Sequence, residues 1–161
     1  MSGFRNSFKE NSMNKCQSII SFVTLILFSA NSYSSTAEAN IGHRGDANNV
    51  SRTIKLTQVD NMFLPAEVSV NEGETIRFVV KNGGSSRHEM IIGSMAELKE
   101  IAHMRRKFPD KAHDEADLIR LEPGEQKELV WQFSSAGIVN FACPLPGHFK
   151  KMRGTITVEK K

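Results

Sequence analysis

The stretch "NFACPLPGHFKKMRG", residues 140–154, places a cysteine, a histidine and a methionine in the link between two strand-like segments. "IVNFAC" (138–143) leads into it and "RGTITVE" (153–159) leads out, each short, β-branched or aromatic and bounded by glycine. Pro144 and Pro146 fix φ, and Gly147 permits a tight turn. The link is therefore stiff, and it returns His148 towards the sulfur of Cys143. Met152 follows four residues later, at the opening of the next strand. One connection offers a thiolate, an imidazole and a thioether.

A period of two also governs the chain further out. "TIRFVVKN" (75–82) sets Ile76, Phe78 and Val80 against Thr75, Arg77 and Val79, and "RTIKLTQV" (52–59) puts Ile54, Leu56 and Gln58 on one face. "AEVSV" (66–70), "RHEMIIG" (87–93) and "QKELVWQF" (126–133) complete the set. Turn residues at 71–74, Gly83–Gly84, Pro123–Gly124 and Ala136–Gly137 separate these runs. Six or seven short strands with such punctuation predict an all-β fold, an antiparallel sandwich or barrel, with Trp131 and Phe133 packed inside. One segment departs from this pattern. Ser94 and Glu97 have capping-box spacing, and Met95, Leu98, Ile101 and Ala102 recur at helical intervals. Arg105, Arg106 and Lys107 suit a helix C-terminus, and Pro109 ends the run. A single inserted α-helix (about 94–107) is expected, then a polar loop to Leu121.

The N-terminal 39 residues read as a secretory signal peptide. Lys15 precedes the apolar run "SIISFVTLILFSA", and Ala37–Glu38–Ala39 offers a cleavage step. The run is shorter than the roughly 20 apolar residues of a membrane span, so no stable membrane insertion is expected after cleavage. Met13 is a more ordinary start, which makes residues 1–12 a possible start-site extension. Residues 40–51, rich in Gly, Asn and Asp, read as a flexible lead-in, and 52–161 as one domain. Cys16 departs with the leader, so Cys143 is the only thiol of a chain bound for an oxidising, periplasmic compartment, and it has no internal disulfide partner. The net charge is only +3, and no basic run with interleaved aromatics suggests nucleic acid.

A lone exported cysteine is a buried inert thiol, a nucleophile or a metal ligand. A nucleophilic Cys143–His148 pair lacks an evident Asn or Asp to orient the histidine. Thiolate, imidazole and weak thioether together match the ligand preference of copper, whose blue sites use two His, one Cys and a long axial Met. The second histidine must come from a strand adjacent in space. His88 in "SSRHEMIIG" is the strongest candidate, because it follows a Gly-Gly-Ser-Ser turn at the entry of an apolar strand. His43 lies in the lead-in, His103 in the helix and His113 in the polar loop. Met90 is a rival axial sulfur better explained by core packing. Met62, Met95, His103, Met104 and His113 are candidates for a second soft-metal site, with helix packing the simpler reading for Met95 and Met104.

"CPLPGHFKKMRGTITV" resembles the ligand loop of the cupredoxins, most of all azurin and its relatives, in its Cys-x4-His-x3-Met spacing. "MFLPAEVSVNEGETIRFVVKN" followed by "RHEM" is similar to that family's N-terminal half. The resemblance implies a Greek-key cupredoxin sandwich and one type 1 copper ion held by His88, Cys143, His148 and Met152. The inserted helix is similar to that of periplasmic cupredoxins associated with copper tolerance. Arg87 and Glu89 stand where azurin-like chains have Gly and Asn, which puts in question a fifth carbonyl ligand and the usual Asn bridge between ligand loops. The amides of Leu145 and Glu89 are the expected donors to the thiolate.

The expected function is single-electron transfer by a periplasmic blue copper protein, with copper tolerance or sequestration as the alternative. An enzyme is not expected: dinuclear copper centres need a second loop cysteine, and multicopper enzymes need further domains. The expected partner is a c-type cytochrome or terminal reductase docking near Leu145, His148 and Phe149, and the chain is expected to be a monomer.

Overall fold

The computed structural model describes residues 41–109, 111, 115 and 117–161. The leader reading, with Cys16, and His113 lie outside the described residues. In chain order the strands are β1 (Gly42–Arg44), β2 (Arg52–Val59), β3 (Met62–Leu64), β4 (Glu67–Asn71) and β5 (Thr75–Asn82). Then come β6 (His88–Gly93), helix α1 (Met95–Lys107), β7 (Ile119–Leu121), β8 (Gln126–Phe133), β9 (Gly137–Ala142) and β10 (Arg153–Glu159). They form two five-stranded sheets, β1-β8-β5-β2-β3 and β4-β10-β9-β6-β7.

Alternation decides which side chains meet between the sheets. Leu56, Ile76, Phe78, Val80, Leu129 and Phe133 of the first sheet are buried in one cluster with Met90, Ile92, Phe141 and Ile156 of the second. Each such side chain contributes about 1.5–3 kcal/mol on full burial. Phe63 of β3 meets Phe141 edge-on, with centroids 4.9 Å apart. Trp131 and Phe133 belong to this core as expected.

The sandwich differs from the sequence expectation in three respects. Two ladders, β2 with β5 and β4 with β10, are parallel. Side-chain alternation is the same in either direction, so the pattern does not encode it. The segment read as a lead-in contains an edge strand, Gly42–Arg44, paired with Trp131–Phe133, and a short 3-10 turn at Ala47–Asn49. Ile119–Leu121, read as the end of a loop, pairs with His88–Met90. Three-residue strands are too short for a periodic signal.

Helix α1 begins where the capping box predicts. Ser94 Oγ accepts from Glu97 N at 3.2 Å, and Glu97 Oε2 accepts from Ser94 N at 2.8 Å. Leu98 buries against Ile91 and Ala142, and the half-buried Phe149 packs on the same cluster. The helix is thereby seated beside the link that follows β9.

Candidate metal centre

β6 and β9 are antiparallel neighbours, with Ile91 opposite Ala142. His88 opens β6 and Cys143 follows β9, so this pairing brings both residues to one end of the sandwich. The link then folds back on itself. His148 N donates to Leu145 O at 3.0 Å across Pro146 and Gly147, and Gly147 has φ +84°, the combination of a type II turn. The chain closes with Cys143 N donating to Met152 O at 3.0 Å and Met152 N donating to His148 O at 2.9 Å.

Three donor atoms converge as a result. His88 Nδ1 is 3.2 Å from His148 Nδ1, and Cys143 Sγ is 3.5 Å from that same nitrogen. All three ligand atoms lie within 4.8 Å of one another. Bonds of about 2.0–2.3 Å set trigonally around one metal ion separate neighbouring donors by roughly 3.5 Å, so the spacing fits a single ion. Met152 is fully buried in the core cluster that includes Cys143. Met90 is fully buried in the sandwich core, as its packing reading requires. His43 is exposed on β1 with Nδ1 3.1 Å from Ser134 Oγ, and His103 is exposed on α1.

The side chains behind the donors explain why they hold still. Asp60, in the β2–β3 turn, has Oδ1 3.1 Å from His88 Nε2. A carboxylate only accepts, so Nε2 carries the proton and Nδ1 presents its lone pair to the cluster. Ser85 N, Ser85 Oγ and Ser86 N all donate to Asp60, led by the Ser85 hydroxyl, and hold its carboxyl well below the usual range. Gly84 is needed for this approach: a Cβ there would stand 2.3 Å from Asp60 Oδ1 and 2.9 Å from His88 Nε2. Buried Asn82 ties the same turn, accepting from Gly84 N and donating to Ser86 O and Leu121 O.

Glu89 acts through three groups. Its N–H donates to Cys143 Sγ at 3.4 Å, and its carbonyl accepts from buried Gln58 Nε2 at 2.8 Å. Its carboxylate, buried, receives Arg105 Nη1 from α1 at 2.6 Å and Arg120 Nε from β7 at 3.2 Å. The ligand segments are thus joined through the main chain of Glu89, while its side chain clamps the inserted helix. Burial pushes the Cys143 thiol up; the Glu89 and Leu145 amides act in the opposite direction, as the sequence reading of both amides expects. Burial, then the charge of His88, moves His148 down and favours the neutral ring that binds metals.

The family model described as cupredoxin-like domain matches residues 18–109, more than half of the chain. The copper-resistant cuproprotein CopI of Rubrivivax gelatinosus is 40% identical over 131 residues, covering 80% of this chain and 79% of that protein. This chain belongs to the cupredoxin family. CopI of Pseudomonas aeruginosa is 31% identical over 165 residues, covering 83% of this cupredoxin and 91% of the relative. Among solved structures, reduced auracyanin of Roseiflexus castenholzii superposes with TM-score 0.58 at 22% identity, over 68% of this chain and 98% of that one. Auracyanin A of Chloroflexus aurantiacus gives 0.57 at 23%, over 66% and 98%, so both share the fold. Copper is the cofactor that the family and the His-Cys-His donor set together imply.

Of the expected ligands His88, Cys143, His148 and Met152, the structure brings the first three together; Asp60, Asn82 and the Arg105–Glu89–Arg120 group were not singled out from the sequence. Gln58 stood out only as the polar member of an apolar face.

Proposed function

We propose that this cupredoxin is a periplasmic type 1 copper protein that holds one ion through His88, Cys143 and His148, with Met152 as the weak axial sulfur, and carries single electrons. The convergence of the three donors at 3.2 and 3.5 Å carries the reading. Copper bound there supplies a one-electron Cu(I)/Cu(II) couple. The protein's own part is to keep the donors in place in both states. Asp60 holds the His88 ring and its tautomer, and the Pro146–Gly147 turn holds His148. The amides of Glu89 and Leu145 stabilise negative charge on sulfur, which raises the potential. His148 is only partly buried, so its ring is the point of electron entry, with a c-type cytochrome or terminal reductase docking near Leu145 and Phe149.

A second reading is copper tolerance, favoured by the name that the CopI relatives carry. It needs the same ligands. A deletion strain that is copper-sensitive yet respires normally would make tolerance the main role and electron carriage secondary.

The visible spectrum of the Cu(II)-loaded protein tests the site. An intense thiolate-to-copper band is expected, lost in Cys143→Ser and kept in Met152→Leu with a raised potential. A colourless wild-type product would overturn the ligand assignment.

A further inference from the structure

Lys99, His103 and Arg106 sit at i, i+4 and i+7 of α1 and share one exposed face. They form one wall of a groove of about 360 Å³ whose other wall is the ligand link, with Lys150 on its rim. Half-buried Leu145 and Phe149 line the groove between them. Gly147, also in the lining, directly precedes His148. The residues lining this groove include no carboxylate.

Among the described arginines, most are paired, and two of those that are not lie at this end. Arg44, Arg52, Arg77, Arg105 and Arg120 each reach a carboxylate. The described arginines that do not are Arg87, Arg106 and Arg153. Arg87 precedes His88, Arg106 lines the groove, and Arg153 stacks on Phe149 with Cζ 5.5 Å from the ring centroid. Lys99 and Lys150 likewise have no carboxylate partner among the described residues. Unpaired lysines occur elsewhere too, Lys55 and Lys81 among them, but here Lys99, Arg106 and Lys150, none with a carboxylate partner among the described residues, line one cleft with Leu145 and Phe149, beside a copper ligand.

We propose that this groove docks an acidic protein surface, that of the partner with which the copper site exchanges electrons. The inference rests on the electron-carrier reading, for which it specifies the partner's surface chemistry. Cations from both the helix and the link, set among apolar Leu145 and Phe149, complement a protein face whose carboxylates ring an apolar patch. A small anion would have no use for the apolar lining, and a lipid surface would favour a flat cationic face over a cleft. Fields of this kind raise association rates by about 10–10³-fold and fade with salt.

The test is an amide-shift titration of the metal-free, isotope-labelled protein with an acidic c-type cytochrome, repeated with a basic one and with phosphatidylglycerol vesicles. The acidic cytochrome should shift Lys99, His103, Gly147 and Lys150, with affinity falling as NaCl rises. Lys99→Glu/Arg106→Glu/Lys150→Glu should weaken binding at least 10-fold at low salt, whereas Lys55→Glu on the exposed side of β2 should not. Shifts on other surfaces, undiminished binding by the triple variant, or equal binding of the basic cytochrome would overturn the proposal. So would engagement of the groove by vesicles but not by the acidic cytochrome. Because the metal-free protein is used, a failed copper spectrum would defeat the site assignment without deciding the groove.

Discussion

Replacing Arg105 with methionine probes the charge cluster that joins the inserted helix to the donor segment. The Arg105 and Glu89 side chains are 5% and 1% exposed, and their closest N–O distance is 2.6 Å. Removing one partner of such a pair costs about 3–5 kcal/mol, because the remaining charge is left buried. Glu89 retains Arg120 at 3.2 Å, but Arg120 is 44% exposed and its attraction is screened. The loss should therefore fall near the lower end, about 3 kcal/mol. At roughly 4 °C per kcal/mol for a domain of this size, Tm should drop by about 12 °C. Glu89→Gln should cost less, because Arg105 keeps Glu115 at 2.9 Å.

Urea unfolding of the metal-free protein is the appropriate assay, since bound metal would add its own linkage free energy. The double variant Glu89→Leu/Arg105→Met should be less destabilised than the sum of the single variants, by about 2 kcal/mol or more. A loss below about 1 kcal/mol for Arg105→Met, or strict additivity, would refute the claim that the buried pair clamps helix to strand.

Two further outcomes follow from the same geometry. Asp60→Ala should weaken Cu(I) affinity about 10–100-fold, with Asp60→Asn intermediate because its amide oxygen still accepts from His88 Nε2; chelator competition measures this, and unchanged affinity would remove Asp60 from the site. Arg52, by hydrogen bonds, holds the Glu74 carboxyl below its ordinary value, so folding stability from this pair is present above about pH 4.3 and lost as pH falls through the folded-state value. Glu74→Gln should flatten the acid limb of the urea midpoint, and an unaltered slope would count against the pair.

The sandwich was legible wherever one face of a strand had to be buried. Ile76, Phe78 and Val80 alternate in the sequence and all three are buried. The capping box of α1 and the Cys143–His148–Met152 spacing were legible for a similar reason: local chemistry alone determines them. Asp60 was not, because nothing local to it in the sequence marks it as part of the site. Only the folded chain brings the Ser85 and Ser86 amides and His88 Nε2 to that carboxylate.

Arg105 and Glu89 are the more instructive case. Arg105 read as a basic residue suited to a helix end, yet it falls on the same helical stripe as Leu98 and Ala102, both buried. Glu89 follows His88 at the head of "HEMIIG", whose first five residues are all buried; the three after Glu89 are apolar. A charge on a buried stripe requires a counter-charge from another buried element, because neither can be left unpaired away from water. In the fold, each of these residues supplies the counter-charge the other's burial requires. That pairing makes the inserted helix part of the metal centre's support. Without the insertion, Glu89 would keep only a half-exposed arginine, one residue from His88 and with its own N–H on the cysteine sulfur.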